Sequence, residues 1–211
     1  MTELNIYVVD DDRAVLLSVQ AVLSHRGHTV HCFASGEEFF VAAVLDRPGC
    51  VVTDVQMPGS SGVDLQRRLL AARSPLSVVV VTGVADVPTA VAMMENGAIT
   101  LLEKPYAPAD LLCAVERGLA ASRERWRAHA VRHRLAQLTD EERGVLEQML
   151  AGQPNKAIAH AVAMSMRTVD RRRQAVLEKM GVGSVPELAL MLGAARLTGP
   201  TDSDSTLAAR N

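Results

Sequence analysis

Five short runs dominated by apolar residues, at 6–9, 29–33, 51–53, 77–82 and 99–102, punctuate the first 116 residues, with longer amphipathic stretches between them. That alternation constrains the fold more than any other feature. A strand with one wet face alternates apolar and polar side chains, whereas a strand covered on both faces is apolar almost throughout. Strands of the second kind, separated by helices, imply a parallel sheet with helices packed on both sides. Right-handed crossovers then favour a flavodoxin-like, doubly wound, five-stranded sheet in the order 2-1-3-4-5, with ligands beyond the carboxyl ends of the strands.

The intervening helices carry their own punctuation. The spacing predicts helices over 13–26, closed by Gly27, over 35–45, over 62–72 and over 88–96, ending at Gly97. Ser35 followed by Glu38 has the spacing of a capping box. From Ala107 the pattern of charge and alanine continues without a stop to about Arg134, so residues 1–120 are expected to form one domain and 121–136 a helical linker. Thr139, with Glu142 three residues on, opens a helix to Ala151 and Gly152. A short helix at 154–161, another from Ser165 through Met180 and a last one from Ser184 to about Gly193 complete an all-α, four-helix domain at 137–197. The stretch 198–211 is small and polar and is expected to be disordered.

Composition matters chiefly through its distribution. Residues 1–116 hold 7 basic and 14 acidic side chains, 117–136 hold 6 and 1, and 137–197 hold 8 and 7. A front half at −7 still leaves a locally basic rear able to meet nucleic acid, because phosphate contacts depend on local charge. Three consecutive arginines stand at 171–173. The three cysteines, Cys32, Cys50 and Cys113, are odd in number and isolated, which suits small buried hydrophobes better than disulfides. With no CxxC or CxxH spacing, a Cys-His metal cluster is not expected. His25, His28 and His31 read as surface histidines. No apolar run reaches the length of a membrane span and no signal-like leader is present, so a cytoplasmic protein is expected.

The strand ends supply the chemistry. Strand one runs into Asp10, Asp11 and Asp12, strand three into Asp54, strand four into Thr82, and strand five is followed by Glu103, Lys104 and Pro105. In a 2-1-3-4-5 sheet these groups converge. Clustered carboxylates raise one another's pKa unless a cation intervenes, so the set favours a hard divalent ion such as Mg²⁺. Asp54 then suits nucleophilic attack on a phosphoryl group, with Lys104 and the Thr82 hydroxyl neutralising phosphoryl oxygens. Acidic residues after strands also cap helices, and Asp12 is placed to do so. Four strand ends each providing a fitting group favour the site.

Val9-Asp10-Asp11-Asp12, Thr53-Asp54-Val55-Gln56-Met57-Pro58-Gly59, Thr82-Gly83 and Lys104-Pro105 together resemble the receiver domain of bacterial two-component response regulators, over about 3–120. The resemblance implies that Asp10, Asp11, Asp54 and the Gln56 backbone carbonyl hold Mg²⁺. It also implies that Asp54 accepts phosphate from a sensor histidine kinase, that Thr82 follows the phosphoryl group as a switch, and that Lys104-Pro105 is cis. A phosphorylation-promoted homodimer contact is implied on the helix 88–96, strand five and the helix from 107, with Val91, Met94 and Leu101 as candidates; core packing is the other reading of these three. Receivers usually carry Tyr or Phe where Leu101 stands, which puts the usual aromatic relay in question.

In the rear half, Thr168 to Met180 places Val169, Ala175, Val176 and Met180 on one side and arginines elsewhere. A short helix followed by a capped cationic one has the layout of a helix-turn-helix, whose second helix enters the major groove. A salt-bridged surface helix is the plainer alternative. Leu138-Thr139-Asp140-Glu141-Glu142-Arg143-Gly144-Val145-Leu146, Gly152-Gln153-Pro154-Asn155-Lys156-Ala157-Ile158-Ala159, Arg167-Thr168-Val169 and Lys179-Met180-Gly181-Val182 resemble the LuxR/FixJ-type DNA-binding domain, over about 136–196. The whole chain is thus similar to the NarL/FixJ family of transcriptional regulators acting on promoter DNA. The resemblance implies that Asp170, Arg171 and Gln174 face base edges, with Thr168 at the start of the recognition helix. It places Asn155, Lys156, Arg167, Arg172 and Lys179 near phosphates. Arg172 stands where the family often has His, and Asp170 either accepts from cytosine or orients Arg171 or Arg173.

Two other functions fit parts of the pattern. A haloacid-dehalogenase-like phosphatase would use Asp10-x-Asp12 with Thr82 and Lys104, but Ala14 stands where that family wants Thr or Val, and only Asp110 follows as a late acid. A DNA-binding protein with a phosphorylation-independent receiver is the third reading; the intact set Asp10, Asp11, Asp54, Thr82 and Lys104 speaks against it. A non-enzymatic regulator is the expectation.

Overall fold

A computed structural model describes residues 4–83 and 87–197, and the chain divides between Trp126 and Arg127 into two compact units. The stretch 198–211 lies outside the described residues. In the first unit, strands β1 (Asn5–Val9), β2 (Thr29–Phe33), β3 (Gly49–Asp54), β4 (Ser77–Thr82) and β5 (Thr100–Glu103) form one parallel sheet in the order β2-β1-β3-β4-β5, as expected. Between them run α1 (Arg13–Ser24), α2 (Gly36–Ala42), α3 (Gly62–Ala71) and α4 (Val87–Glu95). The sheet separates two cores. Ile6, Val8, Val52, Val79 and Val81 meet Val19 and Leu23 of α1 on one face. On the other, Val9, Val51 and Val80 meet Phe39 of α2 and Leu65 and Leu69 of α3. Every residue of β3 and β4 is buried, which is why the middles of those strands read as apolar runs.

Helix α5 (Pro108–Ala136) is one 29-residue helix. Leu111, Ala114, Val115 and Leu119 cover the first core, and its last turns give Val131 and Leu135 to a core in the second unit. The stretch expected as a linker therefore carries core residues. Gly118 allows α5 to approach β3 and β4: a methyl group there would lie 2.8 Å from both Cys50 Sγ and Ser77 Oγ. Ser122, one turn on, accepts from the Gly49 N–H at 2.9 Å and donates to the Pro75 carbonyl at 2.7 Å, pinning the helix at the amino ends of those strands.

The second unit contains α6 (Asp140–Leu150), α7 (Asn155–Ala161), α8 (Met166–Met180) and α9 (Val185–Leu197), packed around Val145, Met149, Ile158, Val169, Val176, Met180 and Leu188. Thr139 and Glu142 complete the expected capping box: Glu142 N donates to Thr139 Oγ1 and Thr139 N to Glu142 Oε2. Ser165 caps α8 through the Thr168 N–H, and Gly181, at φ 68°, ends it in the left-handed conformation that glycine adopts without steric cost.

Some boundaries differ from expectation. Helix α2 stops at Ala42 rather than 45: Ala43 leaves the helix in extended backbone, Ala43 and Leu45 pack into the second sheet-side core, and the Tyr7 hydroxyl holds the Val44 backbone N–H at 3.3 Å. Ser35 caps it through Glu38 N, yet the Glu38 carboxylate returns to Ala34 N, one residue before the capping-box position. Helix α9 continues past Gly193 to Leu197, since one glycine followed by alanines is a tolerable interruption and Ala195 packs on the core. Cys113 is exposed, not buried, because it lies on the face of α5 turned from the sheet; Cys50 is fully buried, and burial pushes its thiol up to about 12. Among the described residues, no helix is long and apolar enough to cross a membrane.

Candidate phosphoacceptor site and nucleic-acid interface

Parallel register brings the predicted groups together. β1 pairs β3 with Val9 opposite Thr53, β3 pairs β4 with Asp54 opposite Val81, and β4 pairs β5 with Thr82 opposite Glu103. Asp10, Asp54, Thr82 and Lys104 consequently leave adjacent strands at the same end. Asp10 and Thr82 are buried, as is Asp54. The Lys104 ammonium donates to Asp10 Oδ2 at 2.9 Å and stands 3.5 Å from Asp54 Oδ1. Asp10 Oδ1 accepts from Asp12 N, Asp54 Oδ2 accepts from Gln56 N at 3.2 Å, and the cis Lys104-Pro105 peptide follows with Lys104 N bonded to the Thr82 carbonyl. Asp12 caps α1 through Ala14 N.

Asp54 Oδ1 is buried and accepts no hydrogen bond. Burial raises the Asp54 pKa, Lys104 opposes the rise and Asp10 adds to it. Lys104 shows the reverse balance. Burial works against its charge, but the hydrogen bond to Asp10 and the two carboxylates hold its pKa above the ordinary lysine value. An oxygen left bare beside an ammonium is an unfilled acceptor. Such a donor set, hard carboxylate oxygens with one uncommitted, fits Mg²⁺, which commonly takes one or two carboxylates and keeps its waters. Among the described residues, no three acidic, His or Cys side chains are gathered closely enough to enclose an ion by themselves. Asp10 is committed to Lys104, while Asp11 and Gln56 are exposed.

Two features of the site carry no signal in the motifs. Tyr106 is half-buried and lines the small cavity beside Asp10 and Asp54; its place two residues after Lys104 was the available clue. Gly62, at the head of α3, lets the loop after Asp54 close: its N–H donates to the Val55 carbonyl, and a Cβ there would lie 2.2 Å from the Asp54 carbonyl oxygen. Backbone cannot yield as a flexible side chain does. Gly62→Ala is therefore expected to destabilise the first unit by about 3 kcal/mol; urea denaturation with an unchanged midpoint would contradict the close approach.

Of the candidate contact residues, Val91 and Met94 are exposed on α4, whereas Leu101 is partly buried against the core of Tyr7, Val9 and Phe39. Leu101 thus behaves as packing, and the apolar surface at this face belongs to α4.

In the second unit, α7 and α8 form the expected helix pair, joined by a turn in which Ala163 adopts a left-handed φ of 51°. Val169, Val176 and Met180 face the core, so Lys156, Arg167, Asp170, Arg171 and Gln174 remain exposed. Thr168 is turned to the helix start, its hydroxyl 2.8 Å from Ser165 Oγ. Asp170 is held neither by Arg171 nor by Arg173: its Oδ1 accepts from Asn155 Nδ2 at 2.5 Å, linking the two helices. Gln174 donates to Glu178. Arg172 forms a close ion pair with Glu141, and Lys179 Nζ donates to Glu142 Oε2 at 2.6 Å and to the Gln137 carbonyl. Sequence reading missed these acidic partners, since they lie 31 and 37 residues away.

Comparison with known proteins covers both halves. The model of the response regulator receiver domain matches residues 6–116, and that of the luxR family of bacterial regulatory proteins matches 136–192. The transcriptional regulatory protein FixJ of Azorhizobium caulinodans is 42% identical over 206 residues, 95% of this chain and 96% of that one. Among solved structures, the response regulator StyR aligns with a TM-score of 0.69 at 32% identity, covering 91% of this chain and 99% of that one. Full-length FixJ from B. japonicum aligns with a TM-score of 0.56 at 35% identity, covering 93% and 99%.

Proposed function

The chain belongs to the FixJ-like response regulators, phosphorylation-controlled transcriptional regulators with a receiver and a LuxR-type DNA-binding domain, and on that premise we propose that Asp54 is the phosphoacceptor through which DNA binding is controlled. The buried Asp54 Oδ1, without a hydrogen bond and 3.5 Å from the Lys104 ammonium, supports this reading most directly. That oxygen attacks the phosphorus of a phosphohistidine on a sensor kinase; the P–N bond breaks and an aspartyl phosphate forms. Lys104 neutralises one phosphoryl oxygen and the Thr82 hydroxyl donates to another. Asp10, Asp54, Asp11 and the Gln56 carbonyl would hold Mg²⁺, which supplies charge neutralisation for the phosphoryl oxygens when bound.

The domains responsible are placed at 1–120 and 137–197, joined by the helical stretch 121–136. Phosphorylation promotes a homodimer through the α4 face carrying Val91 and Met94. The phosphorylated protein acts on promoter DNA in the cytoplasm, as a regulator without a catalytic turnover of its own. Incubation with acetyl phosphate and Mg²⁺ should place one label on the chain, located at Asp54 by mass spectrometry after borohydride trapping. A label elsewhere would refute the assignment.

On the DNA side, Arg171 is proposed to read base edges and Lys156, with Arg167, to hold phosphates. Arg171 is exposed, and among the described residues no carboxylate lies within ion-pair range of it. Arg171→Ala should cost about 1–3 kcal/mol on a selected site and relax its base preference. Lys156→Ala should weaken all duplexes alike and reduce the salt slope by about 1. Equal losses on selected and random DNA from both variants would reject the division of roles.

A further inference from the structure

Two cations of the second unit, Arg172 and Lys179, lie two turns apart on α8, so they share one face of that helix. Opposite them stand two acids from the first turn of α6, Glu141 and Glu142. Glu142 is buried and already fixed: its carboxylate completes the cap on Thr139 and accepts from Lys179. Glu141 differs. Its side chain is 53% exposed, the cap of α6 does not use it, and its partner is Arg172. The guanidinium also lies 4.0 Å from Glu142 Oε1, and its buried Nε makes no hydrogen bond. Arg172 is therefore held in place while keeping a donor unspent.

We propose that Glu141 is an internal rival of DNA phosphate for Arg172. Carboxylate and phosphate bind the planar guanidinium fork through the same paired hydrogen bonds, so one displaces the other. Glu141 is the exposed and exchangeable member of the network; Glu142 is the buried and permanent one. Binding of DNA must first release Glu141, which lowers affinity for every sequence equally. Base-reading side chains such as Arg171 then account for a larger share of the remaining affinity. The inference rests on the DNA-binding reading above and on the approach of this face of α8 to a phosphate.

The test uses the full chain, wild type and the variants Glu141→Gln, Arg172→Gln and the double substitution. Binding is measured by fluorescence anisotropy on a duplex selected from a random pool and on a random duplex, across a salt series. Glu141→Gln is expected to tighten both complexes about fivefold near 100 mM salt and to steepen the salt slope by about 1, one more released counterion. Arg172→Gln alone should weaken both complexes, but by less than Lys156→Ala does, because its charge is already paired with Glu141 in the free protein. In the Arg172→Gln background, Glu141→Gln should add nothing.

A gain that persists without Arg172 would overturn the proposal, showing that Glu141 merely repels DNA. So would no gain from Glu141→Gln, or a loss of affinity and slope from Arg172→Gln equal to that of Lys156→Ala. Far-UV circular dichroism checks folding; if Glu141→Gln does not fold, the Arg172→Gln arm decides. Wild type that binds neither duplex would instead refute the DNA-binding reading itself.

Discussion

Asp54→Asn should take up no label from acetyl phosphate and Mg²⁺, and its affinity for DNA should no longer respond to the phosphodonor. The amide is close to the carboxylate in shape and can still accept from Gln56 N, so the loop after β3 keeps its bond. What disappears is the nucleophilic charge. In wild type, phosphorylation should change DNA affinity by about 5–150-fold, the range of coupling between two sites in one protein, and the variant should show none of it. A residual response in Asp54→Asn would place the phosphoacceptor elsewhere. The same substitution carries a stability signature. Burial raises the Asp54 pKa, so ionising this carboxyl works against folding: the stability it contributes is complete below the pKa of an unfolded aspartate and is lost as pH rises through the higher folded value. A permanently neutral Asn escapes that loss. In metal-free buffer at pH 7, the first unit of Asp54→Asn should resist urea better than wild type.

Glu142→Ala should produce the largest loss of stability in the second unit, about 3 kcal/mol, with faster hydrogen exchange across α6 and α8. Three contacts go at once: the return bond to Thr139 N, the ion pair with Lys179 and the nearby charge for Arg172. Loss of a helix cap typically costs about 1 kcal/mol, and stripping the acid from a part-buried ion pair adds a larger penalty. Its pH dependence follows from the direction of the shift. The hydrogen bond from Lys179, then that from Thr139 N, holds the Glu142 pKa below the ordinary glutamate value. Its stabilisation is therefore complete above that ordinary value and disappears as pH falls through the depressed one. Wild type and Glu142→Ala should differ most at neutral pH and converge in acid. A constant difference from pH 7 down to about pH 3 would show that packing, and not charge, holds α6 to α8.

Much of this molecule was legible before any coordinates. Strands β3 and β4 were apparent because full burial on both faces leaves their middles apolar, with polar residues only toward the strand ends, and the 2-1-3-4-5 order followed from the handedness of crossovers. Thr139 and Glu142 declared a helix start because a capping box is a local interaction, made within one turn. Asp10, Asp54, Thr82 and Lys104 were legible for a related reason: each ends a strand or follows one directly, and the sheet order converts that local fact into a common location.

Interactions between helices were not legible. Whether Asp170 would meet a base, an arginine or Asn155 depends on the crossing of α7 and α8, and periodicity gives no distance between helices. Cys113 looked like a core residue because its neighbours are apolar, yet the phase of α5 against the sheet turns it outward. Helix α2 ended early where Ala43 turns into extended backbone and Ala43 and Leu45 pack against the core, a tertiary contact the local pattern does not announce.

The alternation of apolar runs and amphipathic stretches, read from the sequence by itself, determined the doubly wound sheet and the place of its carboxylates and lysine, since strand burial and crossover handedness leave few other solutions. Only the tertiary structure decided how charge is spent. It left Asp54 Oδ1 without a hydrogen-bond partner beside Lys104, and it set Arg172 against Glu141 and Lys179 against Glu142. Charge pairing across tens of residues depends on distances of a few ångströms, and those are fixed only when the helices and strands have packed.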